Sequence, residues 1–171
     1  WVFPGGRVDD ADKTACTRGA ALGIRDSDNA FAVAAIRETF EEAGVWLGEG
    51  HPDDAFREAL NTRKATLNDQ PSLVADLSRL ALWSWWITPE VEPKRYDTRF
   101  FVTLLTGTES GMAKCDEVET VEHRWIQPKQ AVAEAEAGHF FLAPPTYLTL
   151  CELADCENGM EVMQKASVRT V

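Results

Sequence analysis

Apolar side chains recur at helical spacing from about residue 30 to residue 43, which is the clearest period in the chain. Three of them fall on one face of the predicted helix, namely Val33, Ile36 and Phe40. Gly44 stands where helices commonly end, and the start offers three polar capping candidates, Ser27, Asp28 and Asn29. The pattern predicts an amphipathic helix whose apolar face packs into a core.

Shorter patterns predict the elements that follow this helix. Helical spacing in segments 53–60 and 71–80 predicts a helical insertion over about 51–80. Apolar or alternating runs predict strands at about 82–88, 99–105 and 118–126, with helices at about 128–137 and 145–155. Strands mixed with helices are typical of an α/β or α+β sandwich, and no linker divides residues 1–171 into separate domains.

The start of the chain predicts a strand, a tight turn and a long loop. Trp1-Val2-Phe3 is typical of a strand already under way, so we expect an N-terminal strand to lie at least partly upstream. Pro4-Gly5-Gly6 breaks this strand with residues that permit a tight turn. Residues 7–28 are polar and show no period, which predicts a loop insertion that is mobile without ligand.

Charge and hydropathy indicate which kinds of partner this chain does not bind. The chain has 28 acidic residues against 17 Lys and Arg, which gives a formal net charge of −11 at pH 7. Such a chain repels the phosphate backbone of nucleic acids, and its apolar runs fall short of the roughly 18 residues that cross a bilayer. We therefore expect neither nucleic acid nor a membrane as a partner. An anionic substrate would call for a divalent cation.

Three carboxylates lie on the polar face of the predicted helix: Glu38, Glu41 and Glu42. They share one side because each helical residue advances by about 100°. Like charges at this spacing repel one another, and carboxylate oxygens suit Mg²⁺ or Mn²⁺. Arg37 stands beside them and is placed to orient one carboxylate through a bidentate pair. The alternative is that these glutamates form the solvated face of a surface helix.

The nine residues that start at Arg37, Arg-Glu-Thr-Phe-Glu-Glu-Ala-Gly-Val, resemble the core of the Nudix box, R-E-U-x-E-E-x-G-U with U aliphatic. Among the constrained positions only Thr39 departs from that pattern. The resemblance implies a Nudix-type α/β/α sandwich with a mixed β-sheet and a catalytic loop-helix-loop. It also implies a structural role for the arginine and binding of the catalytic divalent ions by the three glutamates.

The first half of the box leaves two glycines as candidates for its leading turn. Gly23 stands at the family's spacing, 14 residues before Arg37, whereas Gly6 precedes Arg37 by 31 residues. Asn29 occupies the place of a further glutamate in the family, so that ligand is absent here.

One Nudix branch resembles the chain beyond the box, that of the peroxisomal coenzyme A diphosphatase and its bacterial relatives. The features that carry this resemblance are the long gap after Pro-Gly-Gly, the run Thr88-Pro89-Glu90, the aromatic segment 96–101 and Pro144-Pro145-Thr146. The branch implies hydrolysis of coenzyme A or acyl-coenzyme A to 3′,5′-ADP and 4′-phosphopantetheine or its acyl derivative. The alternatives are a pyrophosphatase for ADP-ribose, NADH or another nucleotide, and a ligand-binding Nudix domain with weak catalysis.

Residues outside the box supply further candidates. The family often uses another carboxylate as base or extra metal ligand, for which the candidates are Glu117 and Glu119, the alternative being solvated charges at a strand edge. Arg95 and Arg99 are candidates to contact a substrate phosphate, the alternative being ion pairs with acids. Trp83 and Trp85 share a face at strand alternation, so we expect them to fill core rather than stack on adenine.

The last residues of the sequence, Val168 to Val171, do not match a peroxisomal address, so we expect a cytoplasmic location, the alternative being the peroxisome. The sequence leaves the oligomeric state open.

Overall fold

The computed structural model describes residues 1–114 and 123–171. Within these ranges the α-helices are α1 Asn29–Ala43, α2 Asp54–Asn61, α3 Gly107–Met112, α4 Pro128–Glu136, α5 Pro144–Ala154 and α6 Gly159–Val168. The β-strands are β1 Thr17–Arg18, β2 Gly48–Glu49, β3 Val74–Asp76, β4 Ala81–Ile87 and β5 Asp97–Val102. Short 3-10 turns cover Asp10–Lys13, Asp26–Asp28, Leu67–Asp69 and Leu77–Arg79.

The strands form a mixed three-stranded sheet and an antiparallel ribbon. In the sheet, β3 lies between β1, which is parallel to it, and β2, which is antiparallel. In the ribbon, β4 pairs with β5 from Ala81 opposite Val102 to Ile87 opposite Asp97. Leu22 bridges to Ala81 in parallel and so attaches the segment before α1 to the ribbon. Strands of both directions combined with helices give the α/β class that the sequence predicted.

Helix α1 forms where the apolar period predicted it. Val33, Ile36 and Phe40 are buried in the main core together with side chains of α2 and β3. Asp28 is the N-cap residue, and Gly44 ends the helix in the left-handed region at φ 70°, where its N–H donates to the Phe40 carbonyl. The polar face of α1 is thereby turned away from the core.

Helices pack against the β4–β5 ribbon on more than one side. Trp83 is buried with Ala166 of α6, and its indole N–H donates to Glu152 of α5 over 2.9 Å. Arg99 of β5 instead reaches Phe31 of α1, with its guanidinium 3.6 Å from the ring centroid. The ribbon therefore connects the layer that contains α1 with the layer that contains α5 and α6.

The expectation that Trp83 and Trp85 fill core is confirmed for Trp83 and wrong for Trp85. The register of the ribbon shifts between Leu82 and Ser84, so a β-bulge interrupts the alternation of side chains at Trp83. Trp83 is buried, whereas Trp85 is 40% exposed and lies over the Arg99 guanidinium.

Two predictions near the start of the chain are also wrong. Residues 1–3 form no strand; the Phe3 ring instead meets the Phe100 ring edge-on at 6.1 Å, so side-chain packing holds this segment. Segment 7–28 is not a structureless loop, since it contains a 3-10 turn and β1. The reason is a long-range contact, because Asp12 of that turn is buried against α1.

The predicted helix at 71–80 is replaced by β3 and a 3-10 turn, so only α2 remains of the helical insertion. Strand pairing overrides the local period here, because the N–H groups of Ala75 and Asp76 donate to the carbonyls of Cys16 and Leu47 on either side. The strand predicted at 118–126 lies largely outside the described residues, and its described end, 123–126, is not in a strand. None of the helices in the described ranges has the length and apolarity to cross a membrane.

Candidate active site

Arg37 lies beside the glutamates of α1 and is almost fully buried. Its Nη1 donates to Glu38 Oε1 over 2.8 Å and to Glu41 Oε2 over 3.0 Å. Its Nε and Nη2 donate to the two carboxylate oxygens of Asp12 over 2.9 and 3.1 Å. One cation is thus hydrogen-bonded to three carboxylates, and a fourth, that of Asp9, lies 4.0 Å from Nη2, as expected of an arginine that orients its neighbours.

The pKa values of Arg37 and Glu41 are both raised above those of the exposed side chains. Burial alone would lower the pKa of Arg37, but the hydrogen bond and charge of Asp12, then the charges of Glu41 and Glu38, outweigh it and raise that pKa. For Glu41, burial raises the pKa above its usual value, and the Arg37 charge opposes this only in part. A second positive charge near Glu41 would therefore stabilise its ionised form.

The Pro4-Gly5-Gly6 turn lies against the same glutamates. A Cβ placed on Gly6 would stand 2.1 Å from Glu38 Oε1, so a larger residue here would displace the Glu38 carboxylate. The N–H of Gly5 points to Glu42 Oε1 at 3.4 Å. Gly23 lies elsewhere, with its Cβ position 3.2 Å from Leu82, so it is the Gly5-Gly6 turn that contacts the glutamates of α1.

The donor chemistry fits a hard divalent ion. Glu38 and Glu41 place carboxylate oxygens around one cationic nitrogen, and Glu42 follows on the same helix beneath the glycine turn. In the described ranges no three His, Cys, Asp or Glu side chains already surround one point. Carboxylate oxygens are nevertheless the donors that suit Mg²⁺ and Mn²⁺.

The C-terminal end of α1 is held by α2. Arg57 is buried, and its Nε donates to the Glu41 carbonyl over 2.8 Å while its Nη2 donates to the carbonyls of Glu42 and Lys114 over 2.9 Å each. The Asn61 side chain adds a longer bond to the Glu41 carbonyl, at 3.3 Å. A cation therefore stands at the negative end of the helix that carries the glutamates.

The two candidate substrate arginines differ in their surroundings. The Arg99 side chain is 6% exposed, lies between the rings of Phe31 and Trp85, and pairs with Asp97 over 2.7 Å. Arg95 lies in the exposed ribbon connection, where its Nε donates to the Thr88 carbonyl over 3.1 Å. The alternative of an ion pair with an acid thus holds for Arg99. The two further candidate carboxylates, Glu117 and Glu119, lie outside the described residues.

Sequence patterns missed Asp12 and Arg57, which contact the candidate site from other elements. Asp12 stands among several aspartates in a polar stretch, and only the spacing from Asp9 to Asp12 hints at a capped turn. Arg57 occupies the buried face of α2, where a charged residue is a signal for a polar partner in the core.

The family model described as the NUDT19 Nudix domain matches residues 16–153. A putative nudix hydrolase 7 from Caenorhabditis elegans is 34% identical over 164 residues, which cover 92% of this chain and 51% of that protein. Two proteins named acyl-coenzyme A diphosphatase NUDT19 are also similar. That of Gallus gallus is 29% identical, covering 83% of this chain and 45% of its own length. That of Homo sapiens is 28% identical, covering 78% and 41%.

The fold is similar to that of a solved Nudix hydrolase from Alicyclobacillus acidocaldarius, with a TM-score of 0.66 and 27% identity. That likeness covers 98% of this chain and 82% of the bacterial chain. The chain spans about half the length of the curated relatives it matches.

Proposed function

This chain belongs to the Nudix hydrolases of the NUDT19 type, and from that premise we propose that it is a metal-dependent diphosphatase acting on coenzyme A or acyl-coenzyme A. The products would be 3′,5′-ADP and 4′-phosphopantetheine or its acyl derivative. The observation that carries the proposal is the meeting of Glu38 and Glu41 at one nitrogen of Arg37, beneath a glycine turn.

Glu38 and Glu41 would hold the divalent ion, with Glu42 as the third candidate ligand. When bound, Mg²⁺ or Mn²⁺ would neutralise charge on the diphosphate oxygens and lower the pKa of an attacking water. The chain itself contributes position. Arg37 orients Glu38 and Glu41, and Gly6 lets the backbone of the turn approach Glu38.

Arg95 is the candidate for the 3′-phosphate of coenzyme A, since it is exposed whereas Arg99 is enclosed by Phe31, Trp85 and Asp97. A site that recognises this phosphate should favour coenzyme A over dephospho-coenzyme A by about 10-fold or more. A 10-fold preference corresponds to about 1.4 kcal/mol of free energy.

The test is hydrolysis of a substrate panel by the full-length protein with Mg²⁺, followed by mass spectrometry of the products. The panel contains coenzyme A, acetyl-coenzyme A, dephospho-coenzyme A, ADP-ribose and NADH. We expect 3′,5′-ADP from coenzyme A and loss of turnover with EDTA. Rapid hydrolysis of ADP-ribose beside intact coenzyme A would replace the proposed substrate.

A matched pair of variants tests the phosphate contact. Arg95→Gln should narrow the preference for coenzyme A over dephospho-coenzyme A and leave hydrolysis of the latter unchanged. Arg25→Gln, which removes another exposed arginine, should leave the preference as it is. Equal rates on both substrates with the unaltered protein would remove the 3′-phosphate contact.

A further inference from the structure

Asp12 joins the segment before α1 to the glutamates of α1. Its side chain has no exposed surface, and its two oxygens accept hydrogen bonds from Nε and Nη2 of Arg37 over 2.9 and 3.1 Å. The N–H of Asp9 donates to Asp12 Oδ2 over 2.8 Å, so the 3-10 turn itself fixes the carboxylate. Both ends of this contact are held, which makes it a rigid connection.

The contact decides which edge of Arg37 faces the glutamates. Nη2 is also bonded to the Arg7 carbonyl over 2.7 Å, so the edge formed by Nε and Nη2 is fully engaged by segment 7–12. Nη1 alone meets the glutamates, with Glu38 Oε1 at 2.8 Å and the two Glu41 oxygens at 3.2 and 3.0 Å. Without Asp12, the two-nitrogen edge would be available for a bidentate pair with either glutamate, in direct competition with a cation for the same oxygens.

We propose that Asp12 is a positioning residue that holds and partly neutralises Arg37, so that Glu38 and Glu41 stay available to a divalent ion. This inference rests on the proposed function, because it concerns the same ion. Segment 7–28, which lies outside the Nudix box, would thereby contribute a residue to the site. Asp12 would act through Arg37 and would not contact the substrate.

The test measures Mn²⁺ binding at equilibrium by titration calorimetry or electron paramagnetic resonance, in the absence of substrate. Asp12→Asn keeps the shape of the side chain and removes its charge. Asp10→Asn is the matched control, because it removes one negative charge from the same turn, where Asp10 is exposed and pairs with Lys13 rather than Arg37. We expect Asp12→Asn to weaken Mn²⁺ binding about 10-fold or more, as removal of groups that orient metal ligands does. Asp10→Asn should stay within about 2-fold, since an exposed charge is screened by solvent.

A second variant covers the case in which Asp12→Asn does not fold. Asp12→Glu retains the charge and displaces the oxygens by one methylene, so it too should weaken Mn²⁺ binding more than Asp10→Asn does. Unaltered binding by a folded Asp12 variant would overturn the inference, as would an equal loss in Asp10→Asn, which would indicate charge alone. Absence of Mn²⁺ binding by the unaltered protein would overturn the proposed function together with this inference, so the two failures are distinguishable.

Discussion

The surroundings of Glu41 in the metal-free fold disfavour its ionised form. Burial raises its pKa above the value of about 4.5 expected in the unfolded chain, with the nearby Glu38 charge adding to the effect. A group whose pKa is raised by folding contributes its stability below the unfolded pKa and loses it as pH rises through the folded pKa. Near neutral pH, ionised Glu41 therefore opposes folding, and a bound cation would reverse this effect.

Replacing Glu41 by Gln should separate activity from stability. We expect turnover to fall by about 100-fold or more, because a charged group that would hold the catalytic ion is lost. The metal-free variant should unfold at the same temperature as the unaltered protein or higher at pH 7, and this difference should shrink towards pH 4. Rates with Mg²⁺ and thermal unfolding at both pH values provide the measurement. Glu58→Gln, an exposed glutamate of α2, is the control. Turnover near that of the unaltered protein would remove Glu41 from the site.

At the scale of elements, the pairing of α1 with α2 fixes the end of the helix that carries the glutamates. Arg57 donates to carbonyls of the last turn of α1 and to Lys114, which follows α3. One buried guanidinium therefore binds three backbone acceptors from two segments. Its positive charge also lies at the negative end of the α1 dipole.

Arg57→Met should lower the free energy of unfolding by about 2–4 kcal/mol, because it removes a charged donor from three partly buried bonds and leaves the Glu41 carbonyl only its longer bond from Asn61. Chemical denaturation measures this change, and Mn²⁺ binding should weaken with it as the last turn of α1 loosens. The control is Lys114→Met, which removes an exposed ion pair with Asp54 and should change the free energy by less than about 1 kcal/mol. A loss no larger than that of Lys114→Met would show that water satisfies these carbonyls.

Local patterns predicted those elements whose stability is local or whose apolar face is continuous. Helix α1 follows from the spacing of Val33, Ile36 and Phe40, and the ribbon strands from their apolar runs. The sequence missed β1, β2 and β3, since strands of two or three residues carry no period and exist through pairing of distant segments. It also missed α3 and α6, the latter capped by the Asn158 side chain.

The candidate site likewise has a part that local sequence patterns predict and a part that depends on distant contacts. Its helical part was predictable, because Arg37 and the glutamates lie within one turn and their charges explain their grouping. The contacts from Asp12 and Arg57 come from residues 25 positions before Arg37 and 16 positions after Glu41, and nothing in the local sequence ties them to α1. The alternative of a solvated helix face is wrong for Glu38, which is buried and lies against the Pro-Gly-Gly turn.

At the scale of the whole molecule, the net charge of −11 opposes the approach of an anionic substrate. Salt screens this repulsion, since the Debye length falls from about 30 Å at 0.01 M to about 8 Å at 0.15 M ionic strength. We expect KM for coenzyme A to fall by about 2-fold or more over that range at constant free Mg²⁺, with kcat little changed. Initial rates in NaCl and in potassium acetate, as a check on ion identity, would measure it. A KM that rises with salt would show that local positive charge dominates the approach.

The three-stranded sheet also bears on the behaviour of the protein at high concentration. Its outer strands, Thr17–Arg18 and Gly48–Glu49, are two residues long in the described part of the chain. Arg18 forms ion pairs with Glu49 and Asp76, so both outer strands carry charged side chains. A strand from another molecule would meet few unpaired backbone N–H and C=O groups at these short edges, and charged side chains beside them. Both features discourage edge-to-edge aggregation. The shortness that hides these strands from sequence patterns thus protects the folded protein from forming fibrillar assemblies through this sheet.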